Sequence, residues 1–255
     1  MTDLAVLAIG FGVLPLVSIL LLSFRERIAR HREAAWGGLV GVLAFLGLSH
    51  AMAVVLETKS FLFGGTNEAA TTLFLLVALG LGAATAWVVF EGPFIRTEPA
   101  KIVWAAAAFL ALHSFGDGLV LGGGFTGGAI PVVRIDSLMI SATVVHRFIE
   151  GAVVLVPAFA AAWRPRASIL VLSLSLVSIP AAYVPSALTD SMGLVAGSTT
   201  TIALSAFLAA METAFVLLLL VRGFLPIASV DRGTRWIAWT AIGFIGISLV
   251  HFLVE

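Results

Sequence analysis

The sequence predicts an all-α integral membrane protein, a single polytopic domain over residues 1–255 with eight transmembrane helices and both termini extracytoplasmic. Three observations carry that expectation. Hydrophobic residues make up 60% of the chain and charged ones only 11%, with a mean hydropathy of +1.13, far from soluble globular usage. Apolar runs of about 20 residues, the length that crosses a bilayer's hydrocarbon, recur at about 4–23, 36–56, 69–90, 102–123, 137–163, 168–188, 199–221 and 236–254. The basic residues between those runs alternate from one connection to the next.

Taken in order, the run at 4–23 has no basic region before it and no small-residue cleavage site, so it is expected to be a retained span. Arg25, Arg27, Arg30 and Arg32 follow it, and the next connection, after 36–56, holds only Lys59. Between 69–90 and 102–123 come Arg96 and Lys101, with Gly92-Pro93 and Glu98-Pro99 as connector signals. The connection after 102–123 is glycine-rich from Gly122 to Gly128, then meets Pro131 and Arg134. Arg164 and Arg166 follow 137–163, and Pro180 and Pro185 are expected to kink the run at 168–188 or end it early. The run at 199–221 is followed by Arg222, Arg232 and Arg235. Odd-numbered connections thus hold eleven basic residues and even-numbered ones two, while Arg147 lies inside a span. The positive-inside rule then puts the odd connections in the cytoplasm, which agrees with an even span count.

Other features set limits. Fourteen Lys and Arg balance 14 Asp and Glu, and no nucleic-acid partner is expected. The absence of cysteine excludes disulfides, thiolate metal sites and cysteine nucleophiles. The expected surroundings are a lipid bilayer, with short connections suggesting a prokaryotic cell membrane, and the glycine-rich faces permit a homodimer without demanding one.

Polar chemistry concentrates in one stretch. His-Ser-Phe-Gly-Asp-Gly at His113 to Gly118 and His-Arg-Phe-Ile-Glu-Gly at His146 to Gly151 both read His-x-Phe-x-acid-Gly. Four apart on a helix is one face, pairing His113 with Asp117 and His146 with Glu150. The two helices run antiparallel, and at 1.5 Å per residue each pair is offset by roughly 6 Å in depth. His113 is then level with Glu150, and Asp117 with His146. His50 and Glu212 fall near the middle of their own spans, so polar groups on four spans are expected at one depth.

An ionisable side chain at that depth costs at least about 2.5–3.5 kcal/mol on insertion scales and calls for a function. The pairs read as a metal site, as salt bridges between helices, or as a proton relay. Imidazole nitrogen and carboxylate oxygen suit divalent zinc, iron, manganese or cobalt, and two carboxylates offset the charge of the ion. Gly116, Gly118 and Gly151 are expected to allow close helix approach or local unwinding.

These residues resemble the ZIP (Zrt/Irt-like) metal transporters, which have eight spans, both termini outside, a His-(Asn/Ser)-x-x-(acid)-Gly motif on span 4 and a related motif on span 5. The chain is similar to a divergent prokaryotic member over nearly its whole length. The resemblance implies that His113, Ser114, Asp117, His146 and Glu150 line a transport site, and that the substrate is Zn2+, Fe2+ or Mn2+ moving toward the cytoplasm. Departures from the family pattern are specific. Ile149 stands where members often have proline, no histidine-rich segment joins spans 3 and 4, and Arg147 occupies the place of a second-site ligand. A guanidinium offers only donors and cannot ligate a metal, so one metal at most is expected. Arg147 is expected to pair with Asp117, Glu150 or Glu212, with Glu212 favoured as its counter-charge; exit ligand and proton acceptor are the other roles weighed for Glu212. His50 is an additional candidate ligand.

A transporter rather than an enzyme is therefore expected. The runners-up are an intramembrane metal-dependent hydrolase and a transport-silent protein whose site Arg147 has closed.

Overall fold

The structure, a computed structural model, describes residues 16–57, 68–92, 98–121, 137–191, 199–230 and 233–254. Expectations for residues 4–15, Lys59, Pro93, Arg96, the stretch from Gly122 to Arg134, and Arg232 lie outside the described residues, as do those for the side chains of His50 and Asp117.

Among the described residues all regular structure is helical. In chain order the elements are α1 (residues 16–23), α2 (Arg25–Arg30), α3 (Arg32–Glu57), α4 (Glu68–Glu91), α5 (Glu98–Leu121), α6 (Ser137–Ala160), α7 (Pro165–Leu176), α8 (Ser178–Ser191), α9 (Thr199–Leu218), a π-helical turn at Leu219–Phe224, α10 (Leu225–Ala228) and α11 (Arg235–Val254). Three stretches are long and apolar enough to cross a membrane, Glu68–Glu91, Pro165–Pro185 and Ala206–Ala228. Ala100–Gly116 and Arg235–Val250 are shorter apolar helices.

Two expected boundaries need correction, and one expected kink is found. The first basic connection is helical, as α2 and the start of α3, because Glu, Arg and Ala run from Arg25 to Ala35 with no proline or glycine to interrupt them. The kink expected in the run at 168–188 is found, dividing it into α7 and α8. Pro180 has no N–H to return to the Leu176 carbonyl, and the chain turns at Val177 between α7 and α8. Pro185, by contrast, is carried inside α8. The run ending at 221 continues to Ala228. The backbone N–H of Leu225 reaches back five residues to the Leu220 carbonyl, and this widened turn accommodates Pro226 without ending the helix.

Where helices pack against one another in an apolar solvent, close approach of backbones supplies much of the adhesion. α3 lies along α11, α4 along α9, and α5 along α8. At each contact a glycine admits the neighbour's backbone: a Cβ on Gly41 would overlap the Thr240 carbonyl, one on Gly82 the backbone of Met211, and one on Gly118 the Ile179 carbonyl. Gly151 similarly receives Val17 of α1. Gly116 does not fit that expectation. Among the described residues nothing lies within 4 Å of a Cβ built there, and α5 runs through it without unwinding.

Large apolar side chains are found on both sides of the helices. Leu43, Leu110, Leu155, Leu172 and Phe215 form one continuous core across α3, α5, α6, α7 and α9. Leu73, Leu76 and Val88 of α4, Leu170 and Leu174 of α7, and Ile242, Ile245 and Leu249 of α11 face outward, each more than half exposed. Outward faces this apolar suit lipid rather than water. The six tryptophans gather toward one end of the bundle. Trp36 packs on Phe224, and Trp104 meets Trp163 edge-on. Trp87 lies under the Arg222 guanidinium, and Trp236 and Trp239 lie against Gly37 near the start of α3.

Candidate metal centre

His113 sits about two-thirds of the way along α5, and His146, Arg147 and Glu150 occupy a single turn of α6. His113, Arg147, Glu150 and Glu212 are all more than nine-tenths buried, whereas the side chain of His146 is 39% exposed and forms the mouth of the site. Leu46, Phe109, Val153 and Ile247 line the cavity that opens onto these groups. Apolar walls of this kind leave a buried charge little water to lean on, so each must find a partner.

The partners form a connected set. Glu150 Oε2 accepts from Arg147 Nη1 at 2.6 Å. Glu150 Oε1 lies 3.1 Å from His146 Nε2 and 3.3 Å from His113 Nε2, and those two nitrogens are 3.3 Å apart. Glu212 Oε1 meets the other nitrogen of His113, Nδ1. With Glu212 accepting from Nδ1–H, the neutral ring turns the lone pair of Nε2 toward His146 and Glu150. The His113 ring lies nearly parallel to that of Phe109, centroids 5.9 Å apart, and within 23° of that of His146.

Three ligand-type atoms on His113, His146 and Glu150 therefore share one small volume. Among the described residues, with neutral imidazoles, the two carboxylates and one guanidinium leave one negative charge, which favours a cation.

The structure thus joins His113 to Glu150, as the matched depths require, and adds His146 to the same point. It also joins Arg147 to Glu150 and Glu212 to His113. Ser114 is fully buried, and its hydroxyl has no hydrogen-bond partner among the described residues. The stacking of Phe109 on His113 was not anticipated from the sequence, although the spacing of four residues on one helix face would have signalled it.

Fold and site define an all-helical, membrane-like protein with a buried cluster of imidazoles and carboxylates. No family model matches the chain, and no curated protein matches it.

Proposed function

We propose that the chain is an eight-span transporter that carries a divalent transition-metal ion, Zn2+, Fe2+ or Mn2+, across the cell membrane toward the cytoplasm. One observation carries this reading: His113 Nε2, His146 Nε2 and Glu150 Oε1 converge within 3.1–3.3 Å of one another in a buried, apolar-walled cavity. Three atoms that all carry lone pairs do not share such a space without a proton or a cation among them. Support for the eight-span arrangement comes from the order of the apolar helices and the alternation of basic connections, and support for inward metal transport from the twin motif's resemblance to ZIP proteins. The cavity lies between α3, α5, α6 and α11, and exchange of its exposure between the two sides would carry the ion across.

The experiment is metal content and metal-dependent thermal shift of the purified protein, wild type beside His113→Ala and Glu150→Ala. Each variant removes one of the three donors, so a stoichiometric ion in the wild type is expected to be lost from both. Retention of the ion by either variant would place it elsewhere, and no binding in any of the three would leave a salt-bridged, transport-silent cluster.

A second reading has its own observation. Three protein donors with a fourth position open are also the ligand set of hydrolytic zinc. Such a site needs a carboxylate available as base, and of the cluster's two described carboxylates Glu150 is held by Arg147 and Glu212 by His113. Transport is favoured on that ground, and metal uptake into proteoliposomes separates the two.

A further inference from the structure

The same cluster contains two groups that cannot or do not face the ion yet decide how the ligands are held. We propose that Glu212 and Arg147 are positioning residues, and that the three-donor face they fix selects an ion taking four ligands over one taking six. This inference rests on the metal-binding reading above.

The geometry of the face supports it first. Its edges are 3.3, 3.3 and 3.1 Å, between His113 Nε2 and His146 Nε2, His113 Nε2 and Glu150 Oε1, and His146 Nε2 and Glu150 Oε1. A tetrahedral ion with bonds of about 2.0–2.1 Å to nitrogen and oxygen separates its ligands by about 3.3 Å. A six-coordinate ion such as Mn2+, with bonds of about 2.1–2.2 Å, brings adjacent ligands to about 3.0–3.1 Å and requires three further donors. Among the described residues three donors converge, one short of the first arrangement and three short of the second.

Glu212 supplies the second argument. It comes from α9, whereas the three donors come from α5 and α6, and it takes the Nδ1 side of His113. A carboxylate there fixes the tautomer, aims Nε2 and raises the basicity of the ring. Phe109 backs the same imidazole, so its orientation is set before an ion arrives.

Arg147 supplies the third. By holding Glu150 Oε2 at 2.6 Å, it leaves Oε1 alone for the ion and keeps the carboxylate from binding through both oxygens. A large, oxygen-seeking ion that gains from two-oxygen coordination loses that option, and a four-coordinate ion does not need it.

The test is competition binding of Zn2+ and Mn2+ to the purified full chain, with the visible spectrum of the Co2+-loaded protein as a report on coordination number. The wild type is expected to prefer Zn2+ and to give the intense visible absorption of four-coordinate Co2+. Glu212→Ala is expected to lower Zn2+ affinity about 10- to 100-fold, and Glu212→Gln, which keeps an acceptor for Nδ1–H, to lose less. Arg147→Ala, and Arg147→Met, which retains the bulk of the side chain, are expected to shift the preference toward Mn2+ and to weaken the Co2+ bands as further ligands enter. A purely structural role for either residue would change thermal stability without moving the Zn2+/Mn2+ ratio or the Co2+ spectrum. Wild-type binding with ratio and spectrum unchanged across these variants overturns this inference alone. Failure of the wild type to bind any of the three ions overturns the metal reading together with it.

Discussion

At His113 each face of one imidazole has a separate task. Nδ1 is committed to Glu212, Nε2 to the shared volume, and the ring plane to Phe109. A ring so constrained has lost its rotamer freedom in advance, which reduces what a ligand must order on binding. The same commitment makes the site sensitive to acid, because an imidazole protonated on both nitrogens has no lone pair to offer a metal. Metal uptake into proteoliposomes is therefore expected to fall on acidification, as protons compete with the ion for the imidazole nitrogens; uptake independent of pH would argue against ligation by His113 and His146. Much of this was legible in the sequence. A spacing of four residues puts His146 beside Glu150, and matched depths put His113 level with them. The partner of Nδ1 was not legible, because Glu212 lies 99 residues further along and no local pattern tells which polar group on another helix it will meet. The Arg147–Glu150 pair, three apart on one helix, is a local contact that spacing alone allows.

Among the elements, two glycines of α5 separate packing from propensity. Gly118 faces α8 so closely that a methyl group would overlap the Ile179 carbonyl, which belongs to backbone and cannot rotate away. Gly118→Ala is expected to lower stability by about 1–3 kcal/mol through that overlap. Gly116→Ala meets open space and replaces a poor helix former with the best one, so it is expected to be neutral or to stabilise by up to about 1 kcal/mol. Thermal midpoints of the two variants in detergent check the pair, and a drop for Gly116→Ala as large as that for Gly118→Ala would contradict the packing shown. The sequence marked both glycines but not which of them touches a neighbour, since that depends on which face of α5 meets α8. The same limit applies to helix ends. Hydropathy located the apolar runs, but whether a proline breaks a helix, as Pro180 does, or is absorbed by it, as Pro185 and Pro226 are, depends on the carbonyl left without its donor and on what surrounds it.

For the whole molecule, apolar side chains on the outside and a connected polar set on the inside reverse the arrangement of a soluble bundle. Composition alone foretold that reversal, and α5, α6 and α9 converge on the polar cluster. The eight-span reading has a direct check in the absence of cysteine, which leaves no background for thiol labelling. A cysteine replacing Arg30 is expected to react only from the cytoplasmic side, and one replacing Lys59 only from outside. Reaction of both from the same side would overturn the arrangement. The tryptophan clustering has a further consequence. Trp36, Trp87, Trp104, Trp163, Trp236 and Trp239 account for every indole in the chain, and all lie toward one end of the bundle. In the eight-span arrangement proposed above, intrinsic ultraviolet emission would report on a single leaflet: a brominated lipid confined to that side is expected to dim the half-exposed Trp87 and Trp104, and the same lipid in the opposite leaflet, a helix length away, to leave them bright.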